Sequence, residues 1–305
     1  MKYLCFFIVL LSQIVLSQPV SSQSILEEKL SQMKSFRMFI PENQNDNHAG
    51  ECLLDKYCVL DTSRLQIVYD VVALCDTVQH AYNEDRAILQ VGTLWMKFYG
   101  QTKWRLDNNY TLLTSGKPQV SYDDLKKVVI DYSVFRNLNT GTLINQHYVP
   151  FMSNYVIIYD ERIPAFEWDI SPDIRQIAGY DCQHATTCYK GRTWGVWFTA
   201  SIPINCGLWK FDGLPGLILE AVDSQNHYRF VAREIIQEKA PILFFEIPSK
   251  KMERNDWRKF EKRLHDSPVD FFGTNEGFVL TDPGKGDMNL LDESWHIPYN
   301  PLELE

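Results

Sequence analysis

The sequence predicts a mainly β protein with few helices, in which an antiparallel sheet is covered by one helix near the C-terminus. Runs rich in β-branched and aromatic residues recur from Arg64 onward, short clusters of turn formers separate them, and a single amphipathic stripe follows the last run. Together these favour strands joined by tight loops over a helical bundle.

The chain opens differently. Met1-Lys2 is followed by an apolar run from Tyr3 to Leu11 and then by small and polar residues, Ser12 to Ser24. One positive charge, a short hydrophobic core and small residues at −3 and −1 predict a secretory signal peptide over residues 1–22. Val15/Ser17 would direct cleavage before Gln18, and Val20/Ser22 before Gln23. The apolar run is well short of the ~20 residues a membrane span needs. No later segment is apolar enough either, so the mature chain is expected to be exported and soluble, with no transmembrane segment. Residues 23–60 read as a polar, partly helical extension, with Ser24 and Glu27 spaced as a helix cap. The β domain is expected over residues 61–305.

Arg64–Leu74 has the texture of a half-buried strand. Ile88–Val91 and Leu94–Tyr99, separated by a glycine-containing turn, predict a hairpin. Ser121–Val129 opens with a serine three residues before an acid and reads as a helix. Val134–Ile144 returns to strand around a turn at Asn139-Thr140-Gly141, and Asn154–Tyr159 and Thr193–Thr199 add two more. In the last of these Trp194, Val196 and Phe198 share one face, opposite Gly195, Trp197 and Thr199. Leu214-Pro215-Gly216-Leu217 predicts a type II turn, with proline setting φ and Gly216 supplying a positive φ. It follows Gly213 and feeds the strand Leu217–Val222, which the loop Asp223–Asn226 joins to His227–Ile236. Ser249–Leu264 reads as the covering helix, with Met252, Trp257, Phe260 and Leu264 near one stripe.

Composition narrows the function. Loss of Lys2 with the signal leaves 29 basic against 39 acidic residues, a net −10, with no basic stripe, which argues against nucleic acid as a partner. No Gly-x-Ser-x-Gly elbow, His-Glu-x-x-His helix, phosphate loop or dinucleotide fingerprint occurs, so no enzyme activity and no cofactor are expected. Six cysteines remain after export, and an oxidising compartment favours disulfides among Cys52, Cys58, Cys75, Cys182, Cys188 and Cys206. Spacing suggests Cys52 with Cys58 and Cys182 with Cys188, which leaves Cys75 for Cys206; fifteen connectivities are open. Cys182, His184 and Cys188 would alternatively suit zinc or cuprous copper.

FDGLPGLILEAVDSQNHYRFVA, spanning Phe211 to Ala232, resembles the signature of the GLPGLI family of exported Bacteroidota proteins. Gly179–Thr187, Gly191–Phe198, Ile202–Gly207, Trp209–Phe211 and Tyr299–Leu304 follow the family's order of motifs. Leu208 stands where the family commonly has proline. The resemblance implies no established activity. It implies an envelope protein of curved antiparallel sheet, a half-barrel similar in outline to the periplasmic carriers of lipoprotein acyl chains.

Arg192, Lys210, Glu161, Glu220 and Asp223 are charges in apolar surroundings and must be paired or face a cavity. Arg192 with Glu161 and Lys210 with Glu220 are the expected bridges; alternatively Arg192 and Lys210 converge on an anionic group. Trp168, Trp194, Trp197, Trp209 and Phe211 either form ordinary core or line a groove. The expected function is a noncatalytic binding module, periplasmic, outer-membrane associated or secreted, for an apolar or peptide ligand or an envelope partner. Its cavity would lie between the sheet and the C-terminal helix. The alternatives are an interaction protein that recruits a partner along an edge strand, and a metal-handling protein using Cys182, His184 and Cys188.

Overall fold

The computed structural model describes residues 52–113, 128–149, 156–268, 271, 281–282, 286–287 and 297–305. The signal peptide, the Ser24/Glu27 cap and most of the helix expected at Ser121–Val129 lie outside the described residues.

Fourteen strands organise the domain: β1 (Tyr57–Ser63), β2 (Leu65–Asp76), β3 (Ala81–Val91), β4 (Trp95–Gly100), β5 (Tyr132–Asn137), β6 (Thr142–Tyr148), β7 (Val156–Arg162), β8 (Asp169–Ile177), β9 (Tyr180–Tyr189), β10 (Arg192–Thr199), β11 (Leu217–Asp223), β12 (Tyr228–Ile236), β13 (Ala240–Phe245) and β14 (Ser249–Lys251). Helix α1 (Gln101–Leu113) follows β4, and helix α2 (Arg254–Asp266) follows β14. Twelve strands form one sheet in the order β14-β7-β6-β5-β4-β3-β2-β12-β11-β10-β9-β8, which is not closed into a barrel. All its pairings are antiparallel except the short β14–β7 pair. The mainly β architecture with a C-terminal helix agrees with expectation.

The two faces are covered differently. Alternation sends Ile67, Tyr69, Val71, Leu89, Phe98, Trp194, Val196, Leu219 and Phe230 into one continuous core. The opposite face is covered in part by the antiparallel ribbon of β1 and β13, where Phe135 meets Phe244 at 5.0 Å between ring centroids. Lys97, next to Phe98 in sequence, therefore points under this ribbon. It donates to the Leu243 carbonyl at 2.9 Å and lies near the rings of Tyr99, Phe135 and Phe245.

Three local expectations change. Ser249–Lys251 is a strand running parallel to β7, so the helix starts only at Arg254, with Trp257 and Leu264 as its buried face. The helix α1 had no clear apolar stripe to announce it, and it begins directly after Gly100, where a Cβ would sit 2.0 Å from the Ile130 carbonyl oxygen. Finally, the type II turn is absent. Positive φ falls at Gly213 (+89°) and not at Gly216, whose missing side chain serves close approach instead: a Cβ there would lie 2.0 Å from the Thr199 carbonyl oxygen.

Candidate functional site

The loop between β10 and β11 folds back on itself, with Cys206 bridging Asp212 and the Gly207 N–H donating to the Phe211 carbonyl at 2.8 Å. Trp209, at its tip, takes a φ of +57°, a left-handed conformation that a tryptophan adopts only when its surroundings hold it there. The tip directs Trp209 and Phe211 into a block of rings formed with Phe166, Trp168, Tyr189 and Trp194. The Trp168 indole N–H donates to the Asp212 carbonyl at 2.7 Å and ties this block to the loop. These residues pack as core, and Trp209 alone among them also borders a cavity.

Lys210 goes elsewhere. Its ammonium donates to Glu161 at 2.6 Å, to Glu303 at 2.5 Å and more weakly to the Tyr159 hydroxyl. Arg254 of α2 pairs with Glu303 as well. Burial works against the Glu303 carboxylate, but Lys210 and Arg254 outweigh it and hold its pKa down at about 2. Burial likewise opposes the Lys210 charge, and Tyr159, Glu303 and Glu161 outweigh it, so the ammonium titrates above its ordinary range.

Beside Lys210 lies a chamber of about 90 Å³ between the sheet, α2 and residues 301–303. Its floor follows from strand register. Tyr132 on β5 is opposite His147 on β6, and Asn145 on β6 is opposite Tyr159 on β7, so one face carries all four. The His147 ring stacks between Tyr132 (5.1 Å) and Tyr159 (5.4 Å) and also touches Trp257 of α2. Burial and the nearby Lys210 push the His147 pKa down to about 3, so the ring is neutral. Asn145 donates its amide to Glu161 at 3.0 Å. Its Oδ1, the Tyr132 hydroxyl and the His147 Nε2 are all buried without a hydrogen-bond partner.

Charge completes the wall. Glu261 of α2 accepts from Arg258 at 2.8 Å and from the Tyr299 hydroxyl at 2.9 Å. Asp131 lies just before β5, where Asp85 accepts hydrogen bonds from the backbone of Val129 and Ile130 and so fixes the approach to the strand. Burial, then the Glu261 charge, raise the Asp131 pKa to about 7.

The residues expected to form one site are thus divided. Trp209 and Lys210 line the chamber; Trp194 and Phe211 belong to the ring block. Trp197 lies on the other face of the sheet against His184 and Arg175, because an odd separation from Trp194 reverses direction along a strand. Arg192 pairs with Asp223 at 3.0 Å and donates to Asn300 and the Pro301 carbonyl, so its partner is not Glu161. Glu220 pairs with Arg175 and Arg229, so it is not the partner of Lys210. Arg192 and Lys210 therefore do not converge on one anion.

Cys182 and Cys188 sit six residues apart on β9, which at a strand rise of ~3.3 Å per residue separates them by roughly 20 Å. A disulfide needs Cα atoms within about 7 Å, and a metal ion needs its ligands closer still, so neither a Cys182–Cys188 bond nor a Cys182/His184/Cys188 centre forms. Cys75, Cys182, Cys188 and Cys206 carry free thiols, which also removes the Cys75–Cys206 pairing.

The edges are guarded as well. On the outermost strand, β8, Ile170 and Ile174 are exposed, but Pro172, Asp169, Asp173, Arg175 and a break in register between Ile170 and Ile174 interrupt it, devices that discourage strand addition. The other edge, β14, is three residues long.

The chamber residues Asp131, Tyr132, Asn145, His147, Arg258, Glu261 and Glu303 were missed in the sequence. The one local signal was Asn145 and His147 at period two in β6.

A family model described as "Protein of unknown function (Porph_ging)" matches residues 187–220, the stretch from the end of β9 through the tight loop to β11. No curated protein matches the chain. Among solved structures, PNGF-II in one crystal setting superimposes with a TM-score of 0.45 at 12% identity, covering 75% of this chain and 38% of that one. In a second setting the TM-score is 0.43 at 13% identity, with 65% and 32% covered. The chain thus spans well under half the length of the structures it matches.

Proposed function

We propose that this chain is an exported, noncatalytic binding module of the cell envelope, of the GLPGLI type, that holds a small polar ligand in the chamber between the sheet and α2. The observation that carries this reading is the set of three buried, unpartnered polar atoms at one small cavity, on Tyr132, Asn145 and His147. Such atoms cost about 1–3 kcal/mol each when nothing satisfies them, and a ligand that bonds to them recovers that cost. A volume of about 90 Å³ and a lining of charges suit neither an acyl chain nor a peptide, which need pockets of several hundred Å³. Glu303 is held by Lys210 and Arg254, and Glu261 by Arg258 and Tyr299, so both carboxylates are committed to fixed partners. Among the described residues no helix is long and apolar enough to cross a membrane, which fits a chain released after export.

The test is a thermal-shift and calorimetric screen of small polar metabolites against the mature protein and its Asn145→Leu variant. A ligand that stabilises the wild type and not the variant supports the reading. If no compound stabilises either protein, or a ligand stabilises both equally, the chamber is not a binding site.

A further inference from the structure

Resting on that reading, the structure also points to the chemical class of the ligand. Of the carboxylates that line the chamber, Glu303 is neutralised by Lys210 and Arg254, and Glu261 by Arg258. Asp131 has no ion-pair partner among the described residues; Lys103, whose charge acts on it, is committed to Asp107. Counting only the residues that line the chamber, three carboxylates (Asp131, Glu261 and Glu303) face two cations (Lys210 and Arg258), so the lining is one negative charge in excess when Asp131 is ionised.

The unpartnered atoms point the same way. Asn145 is fully buried, its amide nitrogen is used by Glu161, and what it offers the chamber is an acceptor oxygen. The Tyr132 oxygen and the neutral His147 Nε2 can accept as well. The site supplies acceptors and one uncompensated carboxylate inside a wall of aromatic residues, and this combination recognises a hydrogen-bond-donating cation. An anion would meet Asp131, Glu261 and Glu303, whereas the cations of the lining, Lys210 and Arg258, are already paired with Glu161, Glu303 and Glu261. A volume of about 90 Å³ limits the ligand to a small molecule.

We propose that the chamber binds a small organic ammonium ion, with Asp131 as its counter-ion and Asn145 Oδ1 and His147 Nε2 accepting its hydrogens. Binding is then coupled to Asp131 ionisation. The groups that face Asp131 are Glu261 and Arg258 on α2, Tyr132 on β5, His147 and Tyr148 on β6, Tyr228 on β12, Cys75 on β2, Asp85 on β3 and Lys103 on α1. Burial and Glu261 keep the Asp131 proton on up to a pH of about 7, so affinity rises with pH through that value and levels off above it.

The experiment is calorimetry of the mature full chain with methylammonium chloride, and with tetramethylammonium chloride as a cation that does not titrate, at pH 8 and pH 5. Sodium chloride, sodium acetate and tert-butanol serve as controls. The expected result is binding of methylammonium, weaker by about tenfold or more at pH 5, the scale of a charge-assisted hydrogen bond. Tetramethylammonium, which has no N–H to donate, should bind more weakly or not at all, and no control should bind. Tetramethylammonium binding as tightly as methylammonium overturns the proposed hydrogen bonds. Near pH 6 the heat should vary with the buffer's ionisation enthalpy as a proton is released. Asp131→Asn should abolish binding and its pH dependence without lowering the melting temperature. If that variant does not fold, Asn145→Leu takes its place for the loss of binding. Ammonium binding that survives Asp131→Asn, or equal binding of tert-butanol, overturns the proposal. A different polar ligand that needs Asn145 while neither ammonium ion binds sinks the ammonium class and leaves the binding module standing; no ligand of any kind sinks both.

Discussion

Trp209 and Lys210 are adjacent in sequence and enter two interiors built on the same sheet face. The ring block around Trp194 and Phe211 is closed by aromatic contacts at 5.3–6.1 Å between centroids and leaves one polar atom, the Trp194 indole nitrogen, without a partner. The chamber around Asn145, by contrast, is closed by ion pairs and leaves three polar atoms together without partners. Rings can fill space to close-packed density because they tolerate edge-to-face contact in many directions. Charged groups must satisfy direction and pairing first, and whatever volume remains stays open. The same scaffold therefore gives solid core on one side of the loop tip and a vacancy on the other.

Substitutions that treat the two regions alike would break this comparison. Phe211→Ala should cost about 3–5 kcal/mol, as loss of a fully buried ring does, measured by denaturant unfolding. Lys210→Ala should cost about 3 kcal/mol or more near pH 7, since it strands Glu161 and Glu303. Its cost should shrink in acid, where the stranded carboxylates take up protons, and a cost independent of pH would refute the pairing. Gly216→Ala should lose about 1–3 kcal/mol through the collision with Thr199.

Smaller effects divide the chamber itself by the sign of their pH dependence. The folded pKa of Glu303 is depressed from 4.5 to about 2, so its contribution is present above 4.5 and lost as pH falls through that window. Asp131 runs in reverse: its folded pKa is raised from 3.8 to about 7, so it weakens the fold progressively as pH rises through that range. Asp131→Asn should leave stability at pH 3 almost unchanged and raise it at pH 8, in urea titrations at both values. Lys97 gives a reference outside both regions. Burial lowers its pKa from 10.5 to about 7, so the unfolded chain binds more protons between these values and wild-type stability rises with pH there. Lys97→Met should flatten that rise.

Much of the sheet was legible because it is local. The pairs β3–β4, β5–β6 and β11–β12 join across short turns, and their strands carry β-branched and aromatic residues. The β2–β12 and β1–β13 pairings unite residues far apart in the chain, so no turn chemistry announces them. Arg192 and Lys210 were recognisable as charges needing partners, but distance along the chain hid the partners themselves: Glu161 is 49 residues from Lys210 and Glu303 is 93. The chamber was illegible for the same reason, since strands, α2 and the C-terminal segment each supply part of it. Gly216 illustrates another limit, because a glycine needed for close approach and one needed for positive φ look identical in sequence.

The segment 297–305 also sets a timetable. Asn300 donates to the Leu74 carbonyl across 226 residues, Arg192 grips Pro301, and Glu303 completes the ion cluster. Contacts between such distant residues form late and slow the folding of a chain. During synthesis the earlier strands can pair, but Lys210 waits without Glu303 and Arg192 without Pro301 until this segment arrives.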